Sequence, residues 1–350
     1  MERCKVVMNS EPMLKEASFY EKLDENRVRC KLCRHGCVIT EGRRGICGVR
    51  ENRSGILYSL VYGLPCSWHV DPIEKKPLFH FFPGSKAFSI ATVGCNFHCL
   101  HCQNHDISQI SEDDKQVFGH TVSPLEAVEM AYKSGCKSIS YTYTEPTIFY
   151  EYAYDMARLA KERGIYNNFV TNGYIQDEPL KAILPYLDGA NIDLKGFNEV
   201  VYRKICGADL NGVLDTIRLY KRLGIWIEIT TLIIPGWNDS EDEIGDIARF
   251  IKNDLGAETP WHVSAFYPTH RLTDAPRTPH STLHRARQIG IDEGLRYVYE
   301  GNIPGSDGEN TYCYNCKKLI IRRYGYSIIE YNIEDGFCKY CNATIDGIGL

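Results

Sequence analysis

No run of apolar residues in this 350-residue sequence is long enough to cross a bilayer, which excludes a helical membrane span. The N-terminal Met-Glu-Arg-Cys-Lys lacks the apolar core of a signal peptide, so a cytoplasmic location and no membrane partner are expected. There is no basic excess: 40 Lys and Arg stand against 45 Asp and Glu, a formal net charge of -5. That argues against a generic polyanion binder and leaves room only for a local basic patch. A fourth absence sits mid-chain, in Gly94-Cys95-Asn96-Phe97-His98-Cys99-Leu100-His101-Cys102-Gln103-Asn104. Its three cysteines lack the fourth protein ligand that structural zinc or an ordinary iron–sulfur cluster takes. Three thiolates on a four-iron cube leave one iron open to a ligand from outside the protein. The alternative is a zinc site completed by His98 or His101.

What is present is a globular composition, 43% hydrophobic and 24% charged, long enough for one large barrel domain with appendages or for two ordinary domains. Of the 15 cysteines, eleven fall in three tight sets, and Cys4, Cys66, Cys136 and Cys206 are left over as packing residues. Tight clustering in a large chain with no export signal points to metal rather than disulfides. Cys30, Cys33, Cys37 and Cys47, interleaved with Gly42, Gly45 and Gly48, make a compact knuckle for zinc or for an auxiliary iron–sulfur cluster. Cys313, Cys316, Cys338 and Cys341 form two Cys-x2-Cys pairs flanking a β-rich stretch, a zinc-ribbon or rubredoxin-like pattern for zinc or iron. Lys317 and Asn342 replace the usual glycines after each pair, so less regular turns are expected there. A ribbon this small needs its metal to fold.

From residue 88 to 301, β-branched runs of strand length alternate with helical patterns that stop at glycines. Ser123-Pro124-Leu125-Glu126 opens a helix with a capping serine, a proline in the first turn and a reciprocal glutamate, and Gly135 closes it. A helix through Tyr152, Met156 and Leu159 ends at Gly164, and another runs from Ser240 to Gly256. Strands are expected at 88–93, 137–143, 165–171, 190–194, 225–234, 262–267 and 295–299. Strict alternation implies an α/β fold with a parallel sheet and right-handed crossovers, read as a partial TIM-like (β/α) barrel with chemistry at the carboxyl ends of its strands. The segment Asp71-Pro-Ile-Glu-Lys-Lys-Pro-Leu-Phe-His80 reads as a solvated connection, or else as a flap over the barrel mouth. The expected organisation is an N-terminal Cys-rich extension over 1–86, the barrel over 87–302 and a C-terminal Cys4 module over 303–350.

Each conspicuous polar motif lies just after a strand. The three cysteines follow the first, Thr142-Tyr143-Thr144-Glu145-Pro146 the second, Thr171-Asn172-Gly173 the third, and Asp193-Leu194-Lys195 ends the fourth. Together they suit a zwitterionic amino acid, with Glu145 for its ammonium group and Lys195 for its carboxylate. His262, Ser264 and Phe266 alternate onto one strand face. That makes His262 a candidate substrate contact or a satisfied barrel histidine.

The Cys-x3-Cys-x2-Cys loop resembles the signature of the radical S-adenosylmethionine (SAM) superfamily. The strand-end motifs over about 88–301 are similar to those of enzymes related to pyruvate formate-lyase activating enzyme. The resemblance implies a 4Fe–4S cluster on Cys95, Cys99 and Cys102, with Thr144, Glu145 and Lys195 holding the methionine moiety, Asn172 and Asp193 lining the same site, and Thr230 with Leu232-Ile-Ile-Pro235 facing ribose and adenine. Over nearly the whole chain, Cys47-Gly-Val-Arg-Glu-Asn, Asp71-Pro-Ile-Glu-Lys-Lys-Pro-Leu, Tyr141-Thr-Tyr-Thr-Glu-Pro-Thr and Trp261-His-Val-Ser-Ala-Phe-Tyr-Pro resemble the AmmeMemoRadiSam system radical SAM proteins. His101 stands where an aromatic residue is usual, Tyr143-Thr144 where the related motif has Gly-Gly, and Val170 where activating enzymes often carry an aspartate for a monovalent cation.

The expected function is reductive cleavage of SAM, giving a 5'-deoxyadenosyl radical that abstracts a hydrogen atom from a small molecule, protein or RNA. An electron donor such as flavodoxin or ferredoxin is the expected partner. The alternatives are an enzyme that activates a glycyl-radical partner, and a non-catalytic metal-binding module that docks RNA or protein.

Overall fold

The computed structural model describes residues 14–110, 117–303 and 305–350; Cys4 lies outside them. The chain divides into two compact units. One comprises Met1–Val70, Ala87–His98 and Asn104–Leu187, and the other Asp71–Lys86, Cys99–Gln103 and Asp188–Leu350.

In the first unit, parallel strands β1 (Lys86–Ala91), β2 (Ser138–Tyr141) and β3 (Tyr166–Thr171) lie side by side, with Ala87 and Tyr166 both opposite Ser138. β2 is buried along its whole length, its two serines included. Two pairs of buried polar groups bridge β2 and β3. Ser140 Oγ donates to Asn168 Oδ1 at 2.7 Å and Tyr141 Oη to Asn167 Oδ1 at 3.0 Å. Helices α1 (Pro124–Lys133) and α2 (Tyr150–Glu162) follow β1 and β2. Ser123 and Glu126 close the expected capping box. Ahead of β1, short antiparallel strands form two small sheets, Tyr20–Lys22 with Val28–Cys30 and Val38–Ile39, and Lys15–Glu16 with Ile56–Ser59 and Arg50–Arg53.

The second unit carries four further parallel strands, ordered β4 (Gly189–Asp193), β5 (Trp226–Ile233), β6 (Trp261–Ala265) and β7 (Val298–Gly301). Helices α3 (Leu210–Arg222), α4 (Glu241–Phe250) and α5 (His280–Asp292) connect them. β7 begins three residues later than the sequence pattern suggests. Leu295 still closes α5, its amide bonding Gly290 O, so its apolar side chain belongs to the helix end. No described helix is long and apolar enough to cross a membrane.

The segment after residue 71 is neither a solvated connection nor a flap over the strand carboxyl ends. Asp71, Glu74, Lys76, Phe79 and His80 are all buried. Lys76 Nζ reaches Asp71 Oδ2 at 2.6 Å, and burial pulls the lysine pKa down to about 8 against that pairing. The backbone amides of Phe79 and His80 donate to Glu228 at 2.9 and 2.8 Å, near the amino end of β5. Amides of a sharp turn need acceptors once covered, and Glu228 supplies them. Buried charges with internal partners look like a solvated connection in composition alone.

The Cys4 module packs in the same region of this unit. Strands Leu319–Tyr324 and Ser327–Tyr331 pair antiparallel, and Arg323, 4% exposed, donates to Phe79 O at 3.0 Å. The last residues run beside 80–82, with Ile348 N bonding His80 O and Phe82 N bonding Ile348 O.

Candidate metal and cofactor centres

In the first unit the loop after β1 carries Cys95. Gly94 has φ +96°, and a Cβ there would meet Val49 Cγ1 at 2.7 Å and Cys47 O at 2.8 Å, so glycine is required for the N-terminal extension to pack on the loop. The Phe97 amide donates to Cys95 Sγ at 3.4 Å. Asn172 Nδ2 donates to Asn96 Oδ1 at 2.7 Å and lies 3.9 Å from Cys95 Sγ. Glu145, 1% exposed, ties the ends of β2 and β3 together. Its Oε1 accepts from Thr147 N, Thr147 Oγ1 and Thr171 Oγ1 at 3.0, 2.5 and 2.7 Å, and its Oε2 from Asn172 N at 2.8 Å. Burial pushes the Glu145 carboxyl up in pKa, opposed by these donors. Thr144 Oγ1 donates to Thr92 O at 2.8 Å. Tyr143, where the related motif has glycine, adopts a left-handed φ of +63°.

In the second unit Cys99 sits beside Cys206, Lys195 and Asp193. The Cys206 thiol beside it pulls the Cys99 pKa down. Lys195 Nζ is 2.8 Å from Asp193 Oδ2. Burial disfavours the ammonium, but Asp193 and the thiols of Cys99 and Cys206 outweigh it and hold the lysine pKa well above its ordinary value. The Cys102 amide bonds Cys99 O at 3.1 Å, and Leu100 is pinned between Ile205 O and the Arg271 amide. His101 is 4% exposed and its Nδ1 is buried with no hydrogen-bond partner. Burial, then the Lys195 charge, lowers its pKa to about 3, so its ring is neutral. Thr230 lies opposite Asp193 and exchanges two hydrogen bonds with Asn191, at 2.9 and 3.0 Å. His262 Nε2 lies 2.7 Å from Glu228 Oε2, and its ring packs on Phe79 and Tyr299.

Residue types alone did not single out Asn96, Cys206 or Arg50. Asn96 is visible only as a loop residue, Cys206 only as a leftover thiol, and Arg50 only as a member of the Cys47-Gly-Val-Arg-Glu-Asn stretch. Each gains meaning from what the fold brings beside it.

The C-terminal cysteines are geometrically explicit. Cys313 and Cys341 Sγ are 3.7 Å apart, Cys316 and Cys338 Sγ 3.8 Å, and all four lie within 4.8 Å of one another. A tetrahedral ion with metal–sulfur bonds of about 2.3 Å sets its ligands about 3.8 Å apart, so this donor set fits one zinc or iron ion. The expected irregularity of the knuckles is absent. Lys317 and Asn342 take φ +60° and +58°, the conformation a glycine would take, and their amides bond Cys313 O and Cys338 O.

The comparisons with known proteins agree with this geometry. Residues 89–251 match the radical SAM superfamily. The "uncharacterized protein MJ0808" of Methanocaldococcus jannaschii is 52% identical over 335 residues, covering 95% of this chain and 99% of that protein. Pyruvate formate-lyase-activating enzyme of Clostridium pasteurianum is 24% identical over 173 residues, 48% of this chain and 72% of the enzyme. Streptococcus suis SuiB in its crystal structure with S-adenosylmethionine shares the fold at a TM-score of 0.50 and 13% identity, over 67% of this chain and 53% of SuiB. With its parallel-strand α/β fold, the chain carries a radical SAM domain over residues 89–251, similar to the pyruvate formate-lyase activating enzymes, and belongs to one family with the M. jannaschii protein.

Proposed function

We propose that this protein is an enzyme that reductively cleaves SAM and uses the resulting radical on a substrate. The observation that carries the reading is the three-cysteine loop at a strand end, with Lys195 half-buried beside Cys99 and paired to Asp193. When bound on Cys95, Cys99 and Cys102, a four-iron cluster with SAM supplies a 5'-deoxyadenosyl radical after one electron arrives from a donor of the flavodoxin or ferredoxin kind. The chain's own residues bind and orient. Lys195, kept protonated by its surroundings, faces a carboxylate with the donors that Asp193 does not take. Glu145 accepts a single described donor on Oε2 and so keeps an acceptor position for an ammonium group, while Thr144 and Asn172 fix the strand ends beside it. The unpartnered Nδ1 of His101 is available to an adenine edge. Thr230, tied to Asn191, acts by orienting its neighbours, and His262 acts through Glu228.

Residues 87–302 form the catalytic segment in this reading, with 1–86 and 303–350 as metal-bearing additions. The motif stretches support reading the chain as one of the AmmeMemoRadiSam system radical SAM proteins. Anaerobically reconstituted wild-type protein is expected to release methionine and 5'-deoxyadenosine from SAM under a strong reductant, and Cys99→Ala is expected to release neither. Normal cleavage by Cys99→Ala overturns the reading. Homology to activating enzymes favours one second reading, installation of a glycyl radical on a partner protein. A glycyl-radical signal by electron spin resonance in a mixture with such a partner decides it.

A further inference from the structure

Four thiols outside the central loop have no role so far. Cys30, Cys33, Cys37 and Cys47 line one pocket with Arg50 and Asn96. Yet the four do not meet as the C-terminal set does. Among the described residues, the C-terminal cysteines are the group of three or more such donors whose ligand atoms all lie within 4.8 Å. One tetrahedral ion needs sulfurs about 3.8 Å apart. A cluster binds each thiolate through a different iron and so spreads the sulfurs, and four cysteines are its usual complement.

The walls of the pocket make a second, independent demand. Arg50 is 1% exposed, and its Nη2 is satisfied by Glu151 Oε2 at 2.5 Å. Its Nε and Nη1 are buried with no acceptor, and so is Nδ2 of Asn96. Buried donors left unmet cost about 1–3 kcal/mol each. Since Glu151 already balances the guanidinium charge, what is missing is acceptors rather than net charge. A lone ion adds none beyond its thiolates, whereas a cluster brings inorganic sulfides. The pocket also abuts the central loop, because Asn96 follows Cys95 and its carbonyl is held by His35 Nε2 at 2.8 Å.

We propose that Cys30, Cys33, Cys37 and Cys47 bind a second iron–sulfur cluster, not zinc, with Arg50 and Asn96 donating to its sulfides. The test uses the full chain carrying Cys95→Ala, Cys99→Ala and Cys102→Ala, reconstituted anaerobically with iron and sulfide. This variant is expected to retain iron and acid-labile sulfide in equal amounts. Reduction should give a cluster signal by electron spin resonance that added SAM does not alter, and adding Cys33→Ser and Cys37→Ser should remove both. Labile sulfide separates a cluster from a single iron in the C-terminal module. Zinc without sulfide at the N-terminal site, or no metal there, overturns the proposal. The circular dichroism spectrum and the ion in the C-terminal module report on folding. Should the combined variant fail that check, wild-type protein decides: it is expected to bind more iron and sulfide than the about four of each that one central cluster takes, and a count of four overturns the proposal. In the triple variant, Arg50→Lys is expected to shift the remaining cluster to a more negative potential, because fewer donors reach its sulfides. None of these readouts needs SAM cleavage, so a failed cleavage assay sinks the proposed activity and leaves this site standing.

Discussion

His80 shows how one side chain can fix a chain of protons. Its Nδ1 is 2.6 Å from the carbonyl of Asp346, which can only accept, so Nδ1 carries the hydrogen and Nε2 accepts from Tyr299 Oη at 2.6 Å. Thr311 Oγ1 then donates to Tyr299 at 2.8 Å, and Arg323 Nη1 donates to Thr311 at 2.7 Å. The whole relay requires a neutral imidazole, and burial, only partly opposed by the nearby Glu228 carboxylate, lowers the His80 pKa to about 4. Because the folded value lies below the ordinary 6.5, the contribution to stability is complete above about pH 6.5 and is lost as the pH falls toward 4. At about 1.4 kcal/mol per unit the loss reaches about 3 kcal/mol. Urea midpoints measured from pH 7 to 4 are expected to fall more steeply for wild type than for His80→Gln, whose amide can donate and accept without titrating. Parallel curves would remove His80 from this account.

Glu145 makes a complementary point at the same scale. The sequence marks it as a ligand for an ammonium group, but the fold first uses it to gather four donors from two strand ends. Glu145→Ala leaves those donors buried and is expected to cost about 3 kcal/mol in urea unfolding without SAM present, and a change under 1 kcal/mol would show that the clamp is dispensable.

At the scale of elements, turn chemistry is where local sequence and backbone geometry part company. Ser123 and Pro124 announce α1, and the capping box forms as their order dictates. Ser240 likewise caps α4, but Glu243 does not complete a box. Its carboxylate instead accepts from the Phe197 amide and Asn198 Nδ2, holding the loop after β4, a long-range partner no local pattern announces. At the metal knuckles the error runs the other way. Without glycine the turns look compromised, yet Lys317 adopts the left-handed conformation because the cysteine spacing leaves no other path. A side chain in that region costs about 1 kcal/mol or more, less for asparagine. Lys317→Gly is therefore expected to stabilise the module by about 1 kcal/mol in metal-loaded unfolding, and Asn342→Gly by less. Equal or opposite effects would argue against stored strain at these turns.

For the whole molecule, strand order and the clusters of thiols were legible because periodicity and spacing are local properties. Which face of the strands each appendage would meet was not, since it depends on buried ion pairs and carbonyl contacts between distant residues. The Cys4 module illustrates this. Arg323, Asp346 and the chain end reach Phe79, His80, Arg296 and Tyr297, at the amino ends of β5 and β7. Asp193 and Lys195 stand at the other end of β4. The ion should then support the fold of this unit rather than its chemistry. Cys316→Ser with Cys338→Ser is expected to release one metal ion per chain, to lower the thermal transition by several degrees and to make residues 303–350 sensitive to protease. At temperatures well below that transition the variant should still cleave SAM at close to the wild-type rate. A collapse of cleavage with an unchanged thermal transition would move the module into the catalytic machinery, because only a direct role at the strand carboxyl ends separates activity from stability in that way.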